Sequence, residues 1–206
     1  MSISTPGIAP RTRRSPEAAR ENILAAAESI LIDAGPQHLK LAQVARAAGV
    51  VHASVLHHFG SIDGVQSALM ARMVQQLVAR IVAITAEAQD PAQIAGIGVE
   101  ALFDAFEERG AARLAAWLEL TGESRRLTLV REAVREVIAA RMSTDVSVSA
   151  ESMEDFILAS ISIALGVGLF GATLSVLLGK PEARARDVAL ALLRDRLAAA
   201  ISKGPR

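Results

Sequence analysis

The feature that most constrains this chain is a pair of short helical segments with a glycine between them. Residues 41–48 place their apolar side chains on one face of a helix, and Gly49 ends it. A second helix of only two turns follows, from about His52 to Phe59. A helix-turn-helix needs a short supporting helix, a tight turn and a second helix whose first residues reach base edges. The segment therefore predicts a helix-turn-helix.

The rest of the 206 residues also follows helical periodicity. A first helix begins after Ser15, a typical N-cap residue, with Pro16 at its first position, and Gly35-Pro36 ends it. Further glycine and proline breaks divide the chain into about nine helices. Only a short valine-containing stretch at 146–148 suggests a strand. The sequence therefore predicts an all-α fold.

Composition narrows the class of protein. Hydrophobic residues make up 51% of the chain and charged residues 21%, so a sizeable core is expected. The absence of cysteine excludes disulfides, thiolate catalysis and cysteine-bound metals, and it fits a reducing cytoplasm. The net charge of zero argues against a protein that coats nucleic acid over its whole surface. Residues 1–62 nevertheless hold six Lys and Arg against four acids, together with all four histidines.

Motifs typical of enzymes are missing from the sequence. It contains no nucleophile elbow, phosphate loop, dinucleotide fingerprint or HExxH motif. The histidines of the second short helix have no nearby acid in the sequence to orient them. We therefore expect neither an enzyme nor a bound cofactor or metal. The N-terminus has no apolar stretch after its basic residues, so we also expect no secretory signal.

Residues 15–65 resemble the DNA-binding domain of the tetracycline-repressor (TetR) family of transcriptional regulators. The family pattern places a helix before "IA..AGVS...LYHHF.SKE.L". The segment LAQVARAAGVVHASVLHHFGSIDGV matches it in order and spacing at Val44-Ala45, Ala48-Gly49-Val50, His57-His58-Phe59 and Ser61 through Val65. The helix layout and the length of the chain are also similar to those of the family.

The resemblance implies a flexible basic arm (1–14), a three-helix DNA-binding domain (15–62), and a connecting helix with a C-terminal ligand-binding and dimerisation domain (63–206). In that family the last two helices usually form the dimer. The implied protein is a cytoplasmic homodimer that represses transcription. A small molecule would release it from a pseudo-palindromic, double-stranded DNA operator, because a twofold dimer reads two half-sites.

Ten residues are expected to contact DNA, and the five of them in the second short helix are transferred position by position from the family. In chain order they are Arg11, Arg13, Arg14, Lys40, Gln43, His52, Ala53, Ser54, His57 and His58. The first three residues of the second short helix are expected to face bases, and its two later histidines to lie near phosphates. The arginines are expected to enter a minor groove or to contact phosphates. The alternative is a solvated histidine face and a plain disordered tail.

Four positions depart from the family pattern. The frequent Tyr and Lys that usually contact phosphates are Leu56 and Ile62 here. The usual Ser before the recognition helix is Val51, and the Thr that often opens the supporting helix is Lys40, so both helices lose a capping residue. These departures leave a second interpretation open, namely a TetR-like dimer that binds a ligand or partner and has weakened affinity for DNA.

The ligand pocket implied by the resemblance lies among helices 4–8. The expected lining consists of bulky or polar groups in otherwise aliphatic helices, namely Phe103, Phe106, Arg113, Trp117, Thr121, Phe170 and Thr173. The alternative for each is an ordinary core or surface position. Because polar candidates are few, we expect a mostly apolar ligand.

Residues 156–179 contain 24 positions without a charge, enough by length to span a bilayer of about 30 Å. No aromatic belt flanks the segment, and a DNA-binding domain precedes it, so we expect a buried helix at a subunit interface and no membrane insertion. Small residues recur on it every four positions, which allows another backbone to approach closely. With the ninth helix, the expected interface comprises Ser160, Ala164, Gly168, Ala172, Leu190, Leu193 and Leu197.

Overall fold

The computed structural model describes residues 15–85, 91–122 and 150–202, and within these ranges it contains helices and no strand. The predicted basic arm lies outside the described residues, and so does the segment 124–141, for which the spacing of its apolar residues predicts a further helix. The helices are α1 (Pro16–Ala34), α2 (Leu41–Ala48), α3 (His52–Phe59), α4 (Ile62–Thr85), α5 (Pro91–Glu107), α6 (Ala111–Leu120), α7 (Ala150–Gly166, continued by the π-helical turn Val167–Gly171 and by Ala172–Leu177) and α8 (Arg184–Ser202). The all-α prediction is confirmed.

The first helix begins and ends where its sequence predicts. The Ser15 hydroxyl accepts a hydrogen bond from the Ala18 backbone N–H at 3.1 Å, and Pro16 occupies the first turn. The backbone hydrogen bond at this helix start lowers the pKa of Glu17, and the Ser15 hydroxyl and nearby His58 act in the same direction. Gly35 adopts φ +87°, which few other residues tolerate, and ends α1.

A first hydrophobic core joins α1, α2 and α3 to α4 and α6. Its fully buried side chains are Ile23, Leu24, Leu31, Val44, Val55, Val65, Leu69, Leu114 and Leu118. The short helices α2 and α3 depend on this packing, because two turns of helix are not stable alone in water. The core continues past residue 62 into α4 and α6, so the DNA-binding helices share their interior with the rest of the chain.

A second core lies between α5, α7 and α8. Its buried members are Val99, Phe103, Phe156, Ala164, Ala189, Leu193 and Leu197. Arg186 of α8 spans its edge and donates hydrogen bonds to Asp104 and Glu107 of α5. Although burial disfavours its charge, these two carboxylates hold the pKa of Arg186 above its ordinary value. The guanidinium therefore stays charged and ties α8 to α5.

The small-residue face of α7 packs inside the protomer. Ser160 and Ala164 are buried, and a Cβ added at Gly168 would lie 2.9 Å from the Ala112 Cβ. Leu193 and Leu197 are likewise buried in the second core. The expectation that these five positions face a second chain is corrected, because α5, α6, α7 and α8 of the same chain already cover them.

By length and composition alone, two stretches of the described chain, Ile62–Ile84 and Glu154–Leu177, are apolar enough to cross a membrane. Core helices of soluble proteins meet the same criteria. The first stretch belongs to α4, whose Val65, Leu69 and Met73 are buried in the first core. The second belongs to α7, which has one buried and one exposed face.

A buried carboxylate connects α1 to the rest of the chain. Glu28 accepts a hydrogen bond from Arg109, just after α5, at 2.5 Å, and its second oxygen lies 3.3 Å from Arg72 of α4. Arg72 also pairs with Glu21 of α1 at 2.8 Å, and Arg109 donates to Gln76 of α4 at 2.7 Å. Because an unpaired charge in this position is costly, the network holds α1 in one place against α4 and α5.

We predict that Glu28→Gln lowers the free energy of unfolding by roughly 2–3 kcal/mol, because Arg72 and Arg109 lose their shared carboxylate. This loss is smaller than the roughly 3–5 kcal/mol usual when one partner of a fully buried ion pair is removed, because the Arg109 side chain is 37% exposed. The control is Glu100→Gln, whose pair with Arg194 is exposed on both sides, and it should cost less than about 1 kcal/mol. Urea unfolding of the three proteins measures both changes, and equal losses would contradict the prediction.

Candidate DNA-binding site

The turn between α2 and α3 is built around Gly49. This residue adopts φ +66° and ψ +33°, a left-handed conformation that reverses the chain after α2. Its backbone N–H donates to the Arg46 carbonyl at 3.1 Å, and the Val50 N–H donates to the Ala45 carbonyl at 2.9 Å. These bonds fix the angle between the two helices, as a helix-turn-helix requires.

The end of α2 is also held from α1. The Asn22 side-chain amide donates a hydrogen bond to the Ala48 carbonyl at 2.7 Å. The bond satisfies a carbonyl at the end of α2, where no intrahelical partner remains. Sequence reasoning missed Asn22, because no local pattern indicates a contact 26 residues away.

The recognition helix α3 presents one continuous exposed face. Val55 is fully buried, whereas His52, Ala53, Leu56 and His57 are exposed. These four positions follow the spacing i, i+1, i+4 and i+5, which places them side by side on a helix. The predicted base-facing residues His52 and Ala53 and the predicted phosphate-facing His57 therefore lie on the same surface.

The remaining predicted DNA-contacting residues occupy mixed environments. Ser54 and His58 are half-buried at the edges of the exposed face of α3. Lys40 is exposed at the start of α2, which has no side-chain cap. Gln43 is half-buried, and its Oε1 atom is buried without a hydrogen-bond partner in the described part of the chain. Arg11, Arg13 and Arg14 lie outside the described residues.

The departures from the family pattern have different structural consequences. Val51 precedes α3 without a side-chain cap and is 69% exposed. Leu56 is 43% exposed at the centre of the α3 face. Ile62, in contrast, is half-buried and packs against the first core, so it lies away from open surface.

The junction between α3 and α4 is tight. The Gly64 N–H donates to the Ser61 hydroxyl at 3.0 Å, which caps α4 as the sequence predicts. A Cβ added at Gly64 would lie 2.0 Å from the carbonyl oxygen of Phe59, the last residue of α3. The Arg20 guanidinium lies 5.0 Å from the centre of the Phe59 ring and braces the same end of α3 from α1.

We predict that Gly64→Ala separates α3 from α4. It should cost about 1–3 kcal/mol of stability, as overpacking does, and weaken DNA binding through misplacement of α3. Gly96→Ala in α5 is the matched control, since a Cβ there meets nothing within 4 Å. That change should stabilise the protein by up to about 1 kcal/mol. Thermal unfolding measures the change in stability of each variant. A Gly64→Ala protein as stable as the unchanged one would refute this account of the junction.

The predicted pocket residues occupy different environments in the described chain. Phe103 is fully buried in the second core, and Phe106 and Trp117 are half-buried. Arg113 donates a hydrogen bond to the Ile32 carbonyl at 3.1 Å and so ties α6 to α1. The other three predicted lining residues, Thr121, Phe170 and Thr173, are exposed.

A small, mostly apolar cleft with a cavity volume of about 10 Å³ lies between α5, α7 and α8. It is lined by Gly96, Val99, Phe156, Leu190, Leu193, Arg194 and Leu197. Arg194 pairs with Glu100 at 2.8 Å, which places an ion pair beside the apolar lining. This volume is about enough for one water molecule, and it is far below the range of about 300–1,000 Å³ typical of ligand sites.

The arrangement of α1–α3 is that of a helix-turn-helix DNA-binding protein, with a supporting helix, a glycine turn and an exposed second helix. Residues 23–69 match the family model described as bacterial regulatory proteins of the tetR family. This match includes the helix-turn-helix and the first part of α4. A search of curated proteins finds no sequence match.

Solved structures share this fold over nearly the whole chain. The fatty acid degradation regulator FadR from Bacillus halodurans is 15% identical, with a TM-score of 0.62 over 92% of this chain and 97% of that one. A transcriptional regulator from Rhodococcus sp. Rha1 is 19% identical, with a TM-score of 0.65 over 93% and 98%. A TetR-family regulator from Pectobacterium atrosepticum is 18% identical, with a TM-score of 0.67 over 95% and 100%. At such identities the similarity extends to the fold alone.

Proposed function

We propose that this protein is a TetR-family transcriptional regulator, a cytoplasmic homodimeric repressor that binds a pseudo-palindromic operator and is released by a small, mostly apolar ligand. The observation that carries the DNA-binding part is the exposed face of α3 on a rigid helix-turn-helix. His52 and Ala53 then meet base edges in the major groove. Lys40 and His57 approach the flanking phosphates, and Arg11, Arg13 and Arg14 add contacts from the arm.

Binding to an operator is tested by selecting bound DNA from a random pool and measuring affinity at several salt concentrations. We expect an inverted repeat whose half-sites are about 34–36 Å apart. Because a dimer with several phosphate contacts releases counterions, affinity should fall on the order of 10³-fold between roughly 50 and 200 mM salt. Failure to enrich any sequence would contradict the proposal.

The exposed side of α7 and α8 supports a dimer. Along α7, Leu158, Ser162, Gly166, Phe170 and Leu174 are exposed at intervals of four residues. Exposed Val188 and Leu192 extend the apolar surface onto α8. The small residues in the middle of the α7 row allow close approach of a second helix. Two such helix pairs, one from each chain, make a four-helix bundle with a twofold axis.

We predict that Phe170→Glu or Leu174→Glu converts the dimer into a monomer, because each change would bury an unpaired carboxylate in the bundle. Val82→Glu, at a half-exposed apolar position on α4, is the matched control and should leave the dimer intact. Light scattering at micromolar concentrations measures the molecular mass. A Phe170→Glu and a Leu174→Glu protein that both remain dimeric would exclude this face as the interface.

An apolar effector is supported by the cleft between α5, α7 and α8. Its lining is aliphatic and aromatic apart from the paired Arg194. Among the structures with this fold, FadR is described as a regulator of fatty acid degradation and EbrR as a multidrug binding protein complexed with imidazole. Widening of the cleft on ligand binding would shift α5, and Arg109 at its end would carry the shift to Glu28 of α1.

The second candidate function is a TetR-like dimer with weakened DNA binding. It is favoured by the loss of two phosphate-contacting residue types, since Leu56 has no hydrogen-bond donor and Ile62 packs into the core. Under this alternative, DNA selection fails while the dimer and ligand binding persist.

A further inference from the structure

The recognition helix lacks the side chains that usually identify bases. Its sequence, HASVLHHF, contains no Arg, Lys, Asn or Gln, which are the residue types that make bidentate or strong hydrogen bonds to guanine and adenine. Hydrogen-bonding capacity at its start is limited to His52 and the half-buried Ser54. If this helix discriminates between sequences, much of the discrimination must come from apolar contacts.

The exposed face of α3 has an apolar centre. Leu56 is 43% exposed and lies about one turn after His52 and Ala53, between His52 on one side and Ala53 and His57 on the other. The buried Val55 points the opposite way into the first core. Leu56 and Ala53 thus form an apolar patch in the middle of the surface that enters the groove, flanked by histidines.

The major groove offers one apolar group on base edges, the C5-methyl of thymine. An isobutyl side chain cannot bond a phosphate, but it gains free energy when it covers a methyl group. Residues 53 and 56 are separated by about 4.5 Å along the helix axis. This is close to the rise of about 3.4 Å per base pair, so the two side chains reach neighbouring base pairs.

We propose that Leu56, with Ala53 beside it, reads thymine methyl groups at one or two adjacent positions of each operator half-site. This inference rests on the proposed DNA-binding function and specifies what the recognition helix selects. It predicts that thymine occupies the centre of each half-site, although no hydrogen bond from the protein requires it there.

Replacing thymine by uracil tests the proposal, because uracil lacks only the methyl group and pairs identically. On the operator obtained by selection, uracil at one or two positions per half-site should weaken binding about fourfold per methyl group. That factor corresponds to about 0.8 kcal/mol for one buried carbon. Uracil elsewhere in the operator should leave the affinity unchanged.

The variant Leu56→Ala tests whether Leu56 is the residue that contacts the thymine methyl groups. This variant should bind the thymine operator more weakly than the unchanged protein does. It should also lose little further affinity when thymine is replaced by uracil, so that the ratio of its affinities for the thymine and uracil operators approaches one. Ile32→Ala, at an exposed apolar position of α1 far along the chain from α3, is the control and should keep the ratio. Thermal unfolding verifies that both variants are folded, as expected for exposed positions.

Each outcome decides the proposal. An enriched operator whose affinity ignores uracil at every thymine would overturn the methyl readout and leave the DNA-binding function intact. A Leu56→Ala protein that retains the fourfold uracil effect would overturn the assignment to Leu56. If Leu56→Ala lowers the affinity for all DNA sequences equally, Leu56 contacts the sugar and not the thymine methyl groups, which would also overturn the assignment. Failure to enrich any DNA would overturn both this inference and the proposed function.

Discussion

The ion pairs of Glu28 are the interaction on which the placement of the DNA-binding helices depends. One carboxylate of α1 is shared by Arg72 of α4 and Arg109 after α5. Charges in such an environment are stable only when they are paired, so α1 has one favourable position against its neighbours. The hydrogen bond from Arg113 to the Ile32 carbonyl holds the end of α1 to α6 as well. Any movement of α5 or α6 therefore reaches α1 directly.

The recognition helix is positioned through this anchored α1. Asn22 holds the end of α2, Arg20 braces Phe59 at the end of α3, and the contact between Gly64 and Phe59 sets the distance from α3 to α4. A rigid support is what a surface with few hydrogen-bonding side chains requires, because a gap of roughly 0.5–1 Å already removes a quarter to a half of the dispersion energy of an apolar contact.

Local chemistry was sufficient to predict most helix boundaries. The hydroxyl of Ser15 caps α1 and that of Ser61 caps α4. Gly35 ends α1 and Gly49 ends α2, because glycine readily adopts the positive φ angle that these positions require. The exposed start of α3 was also predictable, because Val55 is the position nearest the core in a two-turn helix. The contacts of Glu28 were not predictable, since they join residues 81 positions apart and leave no periodic signal.

The sequence by itself determined the all-α fold and the helix-turn-helix, because both follow from the spacing of apolar side chains and from turn residues close together in the chain. The tertiary structure decided which side of α7 is covered. This helix is apolar all round, so periodicity contains no information about its orientation. Ser160 and Ala164 are buried and Gly168 lies close to Ala112 and Phe106, whereas Phe170 on the opposite side is exposed. The helix-turn-helix could be predicted from the sequence because its helices have distinct polar and apolar faces. The faces of α7 are both apolar, and only packing against neighbouring helices distinguishes them.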